Sequence, residues 1–258
     1  MNGKTVWLTG ASQGIGRAVA LRLAEKGCRV AVTARNGEAL QQLAEQFDRD
    51  RGGDNDGEIV PYPADLTDAS ENRRVIEAIT EQLGPIDLAI LNAGTHTPTP
   101  ADNFHAADVH QLIELNLMAP VYALEILLPL MRERNQGHIA AVASVAGYRG
   151  LPNAAGYGAS KAGLINLLEA LRLDLWGSNI KLQVINPGFV KTPLTDQNNF
   201  PMPSLITAEQ AAQAIVNGLA KNRFEICFPW AFTRTLKALR LLPYRLYLPL
   251  VHRATRGN

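Results

Sequence analysis

The sequence predicts an α/β fold: a doubly wound sheet of about seven parallel strands, with helices on both faces, in a single domain. Three observations carry the prediction. Short β-branched runs alternate with longer helical patterns, as repeated βαβ units do. Those runs are apolar at nearly every position, as strands covered on both faces must be. The first of them leads straight into a glycine-rich turn that opens the first helical pattern. With 258 residues, 47% of them apolar, the chain suits one large α/β domain or two small ones and can bury a sizeable core.

Taken in order, the strands are expected at Thr5–Thr9, Arg29–Ala34, Glu58–Tyr62, Asp87–Leu91, His138–Ala143, Ile180–Ile185 and Phe224–Phe228. Helices are expected at Ile15–Lys26, Gly37–Phe47, Asp68–Leu83, Ala106–Arg134, Ala155–Trp176 and Ala208–Leu219. The polar, glycine-rich stretch Asp48–Glu58 reads as a surface loop rather than a boundary, and no internal repeat or linker is visible. Two irregular stretches, Gly94–Phe104 and Pro187–Ser204, follow the C-terminal ends of strands, where open α/β sheets bind ligands. Long irregular segments at that edge are more often lids than padding. Residues 1–228 are expected to form the binding and catalytic body, with a substrate lid at 187–206. Residues 229–258 are expected to extend the same domain.

The formal net charge of +1 gives no global electrostatic case for nucleic acid. Cys28 and Cys227, the only cysteines, have neither CxxC nor metal-ligand spacing; no metal site is expected, and their sparseness fits a reducing compartment. The first apolar run, "TVWLTG" from Thr5, is far too short for a signal core. No window approaches the ~20 apolar residues of a membrane-spanning helix. The expectation is a soluble cytoplasmic protein, at most peripheral on the inner face of a membrane.

The turn "TGASQGIG", Thr9–Gly16, spaces Gly10, Gly14 and Gly16 as GxxxGxG. Glycine lets the backbone turn tightly and approach a pyrophosphate, and the next helix offers free N–H groups and a positive dipole end. A tight packing turn is the plainer alternative, but the position after a strand, before a helix and at the chain's start favours dinucleotide binding. The second strand ends in "VTARN", with Arg35 where an NAD-selecting carboxylate would stand. A guanidinium there can pair with a 2′-phosphate, with help from Arg17, so NADP is favoured over NAD. Gln13 weakens that preference, because a basic residue in the glycine loop would have strengthened it. Asp65 is placed to accept from an adenine amino group or to serve as a helix N-terminal carboxylate.

Tyr157 and Lys161, in "NAAGYGASKAG" (Asn153–Gly163), are four apart and share one helix face. Unperturbed they titrate near ~10 and ~10.4, too high for efficient acid–base work at neutral pH. An ammonium beside a phenol favours the phenolate; a drop of ~3 units corresponds to roughly 4 kcal/mol. The spacing alone equally describes a buried tyrosine with a snorkelling lysine. Other residues shift the balance. Ser144, thirteen positions before Tyr157, ends a strand where its hydroxyl can reach the oxygen that Tyr157 serves. Asn92–Gly94, "NAG", ends the fourth strand beside the crevice. Asn116 is a lone amide amid "IELNLMAP". Asn186–Gly188, "NPG", ends the sixth strand.

In order and spacing these residues resemble the short-chain dehydrogenase/reductase family, in its short single-domain branch, from Thr5 to about Phe228. The motifs are TGxxxGIG at Thr9–Gly16, NAG at Asn92–Gly94, the lone Asn116, Ser144, YxxxK at Tyr157–Lys161 and PG at Pro187–Gly188. The resemblance implies a Rossmann fold and hydride transfer between a nicotinamide and a carbonyl or alcohol. It implies a Ser-Tyr-Lys-Asn set. Tyr157 is the general acid for reduction and the base for oxidation, and Ser144 orients the substrate oxygen. Lys161 binds ribose hydroxyls and lowers the phenol pKa, and Asn116 anchors a water relay. Cofactor contacts are implied at Gly10, Ser12, Gln13, Gly14, Ile15, Gly16, Arg35, Asp65, Leu66, Asn92, Ala93, Gly94, Tyr157, Lys161, Pro187, Gly188, Val190 and Thr192. Leu91 departs from the pattern, since many relatives carry a second asparagine there; it lies outside the catalytic set.

The lid residues Phe189, Leu194, Phe200, Met202, Leu205 and Ile206, with Phe104 from the first loop, suit a lipophilic ketone or alcohol. They would equally pack on the sheet when the lid closes. The tail beyond Phe228 carries Arg234, Lys237, Arg240, Arg245, Arg253 and Arg256 with no acidic residue, and Pro243 and Pro249 are expected to break it into short pieces. Such a segment suits anionic lipid, or equally a helix folded over the pocket or a subunit interface. It also resembles, loosely, the basic apolar extensions of family members acting on steroids, retinoids or sphingoid ketones. The helix at Ala155–Trp176, with Leu164, Leu167, Leu168, Leu171 and Leu175, is expected to pair in a homodimer or homotetramer. An NADP-dependent ketone reductase or alcohol dehydrogenase is the leading expectation. The alternatives are a reductase of carrier-bound 3-oxoacyl chains and a non-catalytic NADP sensor or membrane-surface scaffold.

Overall fold

The computed structural model describes residues 2–51, 56–196 and 202–256. Its strands are β1 (Thr5–Thr9), β2 (Arg29–Thr33), β3 (Glu58–Pro61), β4 (Leu88–Leu91), β5 (Gly137–Val142), β6 (Ile180–Pro187) and β7 (Glu225–Phe228). Its helices are α1 (Gly14–Ala24), α2 (Gly37–Asp50), α3 (Ala69–Leu83), α4 (Ala106–Ile113), α5 (Ala119–Glu133), α6 (Ala155–Asp174), α7 (Ala208–Leu219), α8 (Trp230–Arg240) and α9 (Tyr244–Arg256). The seven strands pair in the order β3-β2-β1-β4-β5-β6-β7, every pair parallel. The direction of winding reverses between β1 and β4, which opens a crevice above their C-terminal ends.

Alternation along β1 shows how the two cores form. Val6 and Leu8 face the layer of α1, α2 and α7, with Leu23, Leu43 and Ile215. Trp7 faces the opposite layer of α3, α5 and α6, with Ile76, Leu127 and Leu168. Trp7 is fully buried, and its indole N–H donates to Thr33 Oγ1 at 3.0 Å, so its one polar atom is satisfied. The helix starts are written in the sequence. Asn36 accepts from the Ala39 amide, Asp68 accepts from the Ser70 amide, and Thr207 and Gln210 form a reciprocal capping box.

Strand bounds fall within two residues of expectation, but several helices differ. α2 continues to Asp50, into the stretch expected to be loop; residues 52–55 of that stretch lie outside the described residues. The pattern Ala106–Arg134 is interrupted by a π-helical turn at Glu114–Met118, where one extra residue widens the coil. Contrary to the expectation that no window suits a membrane, Ala106–Glu133 is long and apolar enough to cross one by length and composition. Its apolar side is spent on the sheet: Ala123, Leu127 and Met131 lie in the core beside Ile139 and Leu182. In the tail, Pro243 separates α8 from α9 as expected, but α9 runs through Pro249, which gives up its own helical hydrogen bond and crowds the carbonyl one turn before it. The leucines of α6 are less free than expected. Leu164, Leu168 and Leu175 are buried in this chain, Leu167 and Leu171 are half-buried, and exposure concentrates at Leu173 and Trp176.

His138, near the start of β5, bonds Gln183 Oε1 at 2.7 Å, and burial pulls its pKa down to about 4. A base whose folded pKa lies below its unfolded ~6.5 folds best neutral. Its contribution is full above ~6.5 and is lost as pH falls towards about 4. Urea unfolding should therefore show a loss on the order of 2–3 kcal/mol across that window from this group. His138→Gln should flatten it; an identical slope in the variant would show that His138 is not the cause.

Candidate active site

The glycine turn sits at the crevice. Gly10 has φ +68, and a Cβ there would stand 2.7 Å from Ala93 Cα, so only glycine lets β1 and β4 close together. Asn92 locks the same junction: its Nδ2 donates to the carbonyls of Thr9 and Gly10 at 3.0 and 3.1 Å, while Thr9 Oγ1 accepts from the amides of Asn92 and Ala93. The Asn92 side chain thus shapes the turn from behind. Gln13 caps α1 without a side-chain bond, and the first turn holds no acidic residue. The amides of Gly14, Ile15 and Gly16 are therefore left for an anion, which fits the pyrophosphate of a dinucleotide. Ser12 and Gln13 flank that opening, half-buried and exposed.

The chemistry-bearing residues meet above β4 and β5. Asn116 is fully buried inside the π turn. Its Oδ1 accepts from the Thr95 amide at 2.8 Å, and its Nδ2 donates to Thr95 O at 3.0 Å and Ser160 Oγ at 3.1 Å. Ser160 in turn donates to Tyr157 O at 2.8 Å. Gly94 lies between the groups: a Cβ on it would stand 3.0 Å from Asn116 Oδ1 and 3.4 Å from Lys161 Nζ. Lys161 is 3% exposed and donates to Val142 O at 2.8 Å. Among the described residues no carboxylate pairs with it, and burial pulls its pKa down to about 8.

Ser144 caps the 3₁₀ turn Val145–Gly147, its Oγ accepting from the Ala146 amide at 3.1 Å. That leaves its proton for Tyr157. Burial raises the Tyr157 phenol above its ordinary pKa, and the hydrogen bond with Ser144 pulls the other way. The expected lowering by Lys161 does not occur in the bare chain. The ammonium is turned to Val142 O and stands 5.9 Å from the centre of the phenol ring.

Two further residues were not singled out by sequence reasoning. His96 stacks edge-on against Tyr157, with centroids 4.8 Å apart, and its buried Nδ1 has no hydrogen-bond partner among the described residues. Burial holds its pKa low. Thr99 Oγ1 accepts from the Gly156 amide at 2.9 Å, capping α6 from another loop. Neither had a signal beyond lying in the irregular stretch after β4.

The remaining expected residues spread along the same edge. Arg35 is exposed at the end of β2 and has no ion pair among the described residues. Arg17 donates one guanidinium N–H to Gln46 of α2. Asp65 is exposed and holds Thr67 through Oδ1, while Asp68 takes the N-cap of α3. Leu66 and Val190 are core residues, so their side chains are turned from the crevice. Pro187 ends β6, and the Gly188 amide donates to Phe228 O at 2.7 Å. The Thr192 amide donates to Thr195 Oγ1 at 3.0 Å. Of the lid, Phe200 lies outside the described residues and Leu205 is exposed, as is Phe104 of the first loop. Among the described residues no His, Cys, Asp or Glu cluster could hold a metal ion. Two surface grooves, beside Ile86 and beside Trp176, contain none of these residues.

Residues 4–202 match the family described as short chain dehydrogenase. An uncharacterized oxidoreductase of Myxococcus xanthus is 37% identical over 247 residues, 96% of each chain. The ketoacyl reductase HetN of a Nostoc species is 32% identical over 230 residues, 88% of this chain and 78% of that one. A Burkholderia phymatum short-chain dehydrogenase/reductase in complex with NAD has a similar fold, with TM-score 0.82, 23% identity and 92% of each chain covered. A Sphingobium yanoikuyae short-chain dehydrogenase in complex with NADPH has TM-score 0.80, 26% identity and the same coverage.

The buried ammonium of Lys161 has a measurable signature. Its folded pKa of about 8 lies below the unfolded ~10.4, so the charge opposes folding below about pH 8 and ceases to do so as pH rises towards ~10. The stability of wild type relative to Lys161→Met should therefore rise by on the order of 3 kcal/mol between those limits. A difference independent of pH, measured by urea unfolding of the nucleotide-free proteins, would contradict the buried-ammonium assignment.

Proposed function

The chain belongs to the short-chain dehydrogenase/reductase family, and from that premise we propose an NADP-dependent oxidoreductase of lipophilic ketones and secondary alcohols. The observation that carries the reading is the meeting of Tyr157, Ser144, Lys161 and Asn116 at one end of the sheet. The reduced nicotinamide would supply the hydride. Tyr157 gives its proton to the carbonyl oxygen, and Ser144 donates a hydrogen bond to the same oxygen. The raised phenol pKa suits that direction, because it keeps the donor protonated at neutral pH. In the reverse direction, positive charge brought beside the phenol on binding would lower it again. Lys161 holds the ribose, and Asn116 positions the water that returns a proton.

Coenzyme preference rests on Arg35, exposed and without an ion pair among the described residues where an NAD-selecting carboxylate would stand. The substrate reading rests on Phe104, Phe189, Leu194 and Leu205 along the two loops, with 187–206 as the lid and 229–258 as part of the same domain. Likeness to a ketoacyl reductase favours a second reading, reduction of carrier-bound 3-oxoacyl chains. A nucleotide sensor or scaffold is the non-enzymatic alternative; turnover of any ketone rules it out. A homodimer or homotetramer joined through α6, on cytoplasmic ground and in reach of an inner membrane face, completes the proposal.

Tyr157→Phe should lower turnover by roughly 10²–10⁴-fold while NADPH binding, followed by fluorescence, stays close to wild type; undiminished turnover would remove Tyr157 from the mechanism. Arg35→Asp should shift kcat/KM from NADPH towards NADH. A wild type that already prefers NADH would reverse the coenzyme assignment.

A further inference from the structure

We propose that α8 and α9 form a docking face for an anionic lipid surface, and that a lipophilic substrate reaches the site from that surface. The second clause rests on the function proposed above; the first does not.

Charge is the first support. From Pro229 to Asn258 the chain has no acidic residue. Lys237 is neutralised by Glu225 of β7, but Arg234, Arg240, Arg245 and Arg253 are exposed and form no salt bridge among the described residues. Apolar exposure is the second. Of the eleven large exposed hydrophobic residues described, six lie here: Trp230, Leu241, Tyr244, Leu246, Leu248 and Leu250. Among the described side chains of α9 only Tyr247 is buried, at 3% exposure. Helical spacing puts Leu246 and Leu250 on one flank of it, with Arg253 beside Leu246, and Tyr244 and Leu248 on the other flank, with Arg245 and His252 on the opposite side. With Tyr247 turned to the body of the chain, the outward side of α9 offers cations to headgroup phosphates, and the exposed leucines and Tyr244 on its two flanks can enter the layer beside them.

The face is fixed to the site rather than hanging from it. Arg149 Nη1 donates to the carbonyls of Leu239, Arg240 and Leu242 at the end of α8. The same guanidinium lies 3.9 Å from the centre of the Tyr247 ring and 4.7 Å from that of Tyr244. Tyr247 Oη donates to Gly150 O at 2.8 Å. Arg149 and Gly150 belong to the segment between Ser144 and Tyr157. On the other side Phe232 of α8 packs on Phe189 at the start of the lid, with ring centroids 5.4 Å apart. Whatever covers α8 and α9 therefore adjoins both loops bordering the site.

Lipid suits this face better than a second copy of the chain. Two copies would bring the arginines together with no carboxylate in the segment to offset them, whereas anionic headgroups supply the counter-charge. An acidic protein would satisfy the arginines but has no stated use for six exposed apolar side chains.

The test is co-sedimentation of the full chain with phosphatidylcholine vesicles, with and without about one third phosphatidylglycerol. Binding is expected on the anionic vesicles, weaker by roughly tenfold or more on neutral ones or in ~0.5 M salt. A combined Leu246→Ser, Leu248→Ser, Leu250→Ser variant and a combined Arg240→Gln, Arg245→Gln, Arg253→Gln variant should each lose roughly tenfold with unchanged circular dichroism. Both should reduce a small water-soluble ketone like wild type, and fall behind only on a lipophilic ketone presented in anionic vesicles. No binding, or equal binding to neutral and anionic vesicles, overturns the docking face. So does a leucine variant that dissociates an oligomer while keeping its vesicle affinity, which would assign the face to a second copy. So does retention of an acidic protein with no vesicle binding. Equal rates on the vesicle-borne ketone overturn the route from lipid. Vesicle binding without turnover of any ketone leaves the docking face standing and refutes the proposed function instead.

Discussion

Three hydrogen bonds from one buried amide hold the site together. Asn116 clasps both backbone polar groups of Thr95 and reaches Ser160 on α6. It sits in the π turn at Glu114–Met118, where the helical pattern from Ala106 to Glu133 widens. The consequence spreads in both directions. Thr95 is held in place and its neighbour His96 rests edge-on against the ring of Tyr157, while α6 is tied so that Lys161 Nζ comes close beneath Gly94. An amide left without partners in so apolar a setting would cost about 1–3 kcal/mol, so the clasp is enforced as well as functional.

The second constraint is electrostatic. A lysine held at 3% exposure with a carbonyl as its partner is kept in a state it would not choose, as its lowered pKa records. The phenol beside it is raised by the same burial. Both groups are thus poised against ionisation in the bare chain, and a bound partner has the leverage to reverse the phenol. Behind them Glu225 ties the Ser144 loop to the tail. Burial pushes Glu225 up, but its bonds to Lys237, Tyr148 and Asn186 outweigh it and hold it ionised. β6, β7, α8 and the Ser144 loop therefore meet on one carboxylate.

Much of this was legible in the sequence because it follows from local rules. Buried parallel strands are apolar at nearly every position, so seven runs could be placed within two residues; the helix starts expected at Gly37, Asp68 and Ala208 fall within one residue of those found, where Asn36, Asp68 and Thr207 cap α2, α3 and α7. The residues that meet at the site were legible from their order. What was hidden depended on contacts between distant segments. Asn92 spends its amide on the glycine turn rather than facing the crevice, Thr99 caps a helix through an amide 57 residues away in the chain, and His96 gained its place only through Asn116. The direction of the Tyr157 shift was misjudged for a related reason: four-residue spacing sets a shared face, not where a flexible ammonium comes to rest.

The central claim is that the bare chain holds Tyr157 protonated and that the bound nucleotide tunes it. Ultraviolet difference titration of the phenol, wild type minus Tyr157→Phe, tests this directly when run with and without NADP. The Tyr157 step is expected above ~10 in the bare protein and lower when the oxidised nucleotide is bound. A step at or below ~10 without nucleotide, or one that does not move on binding, would contradict it.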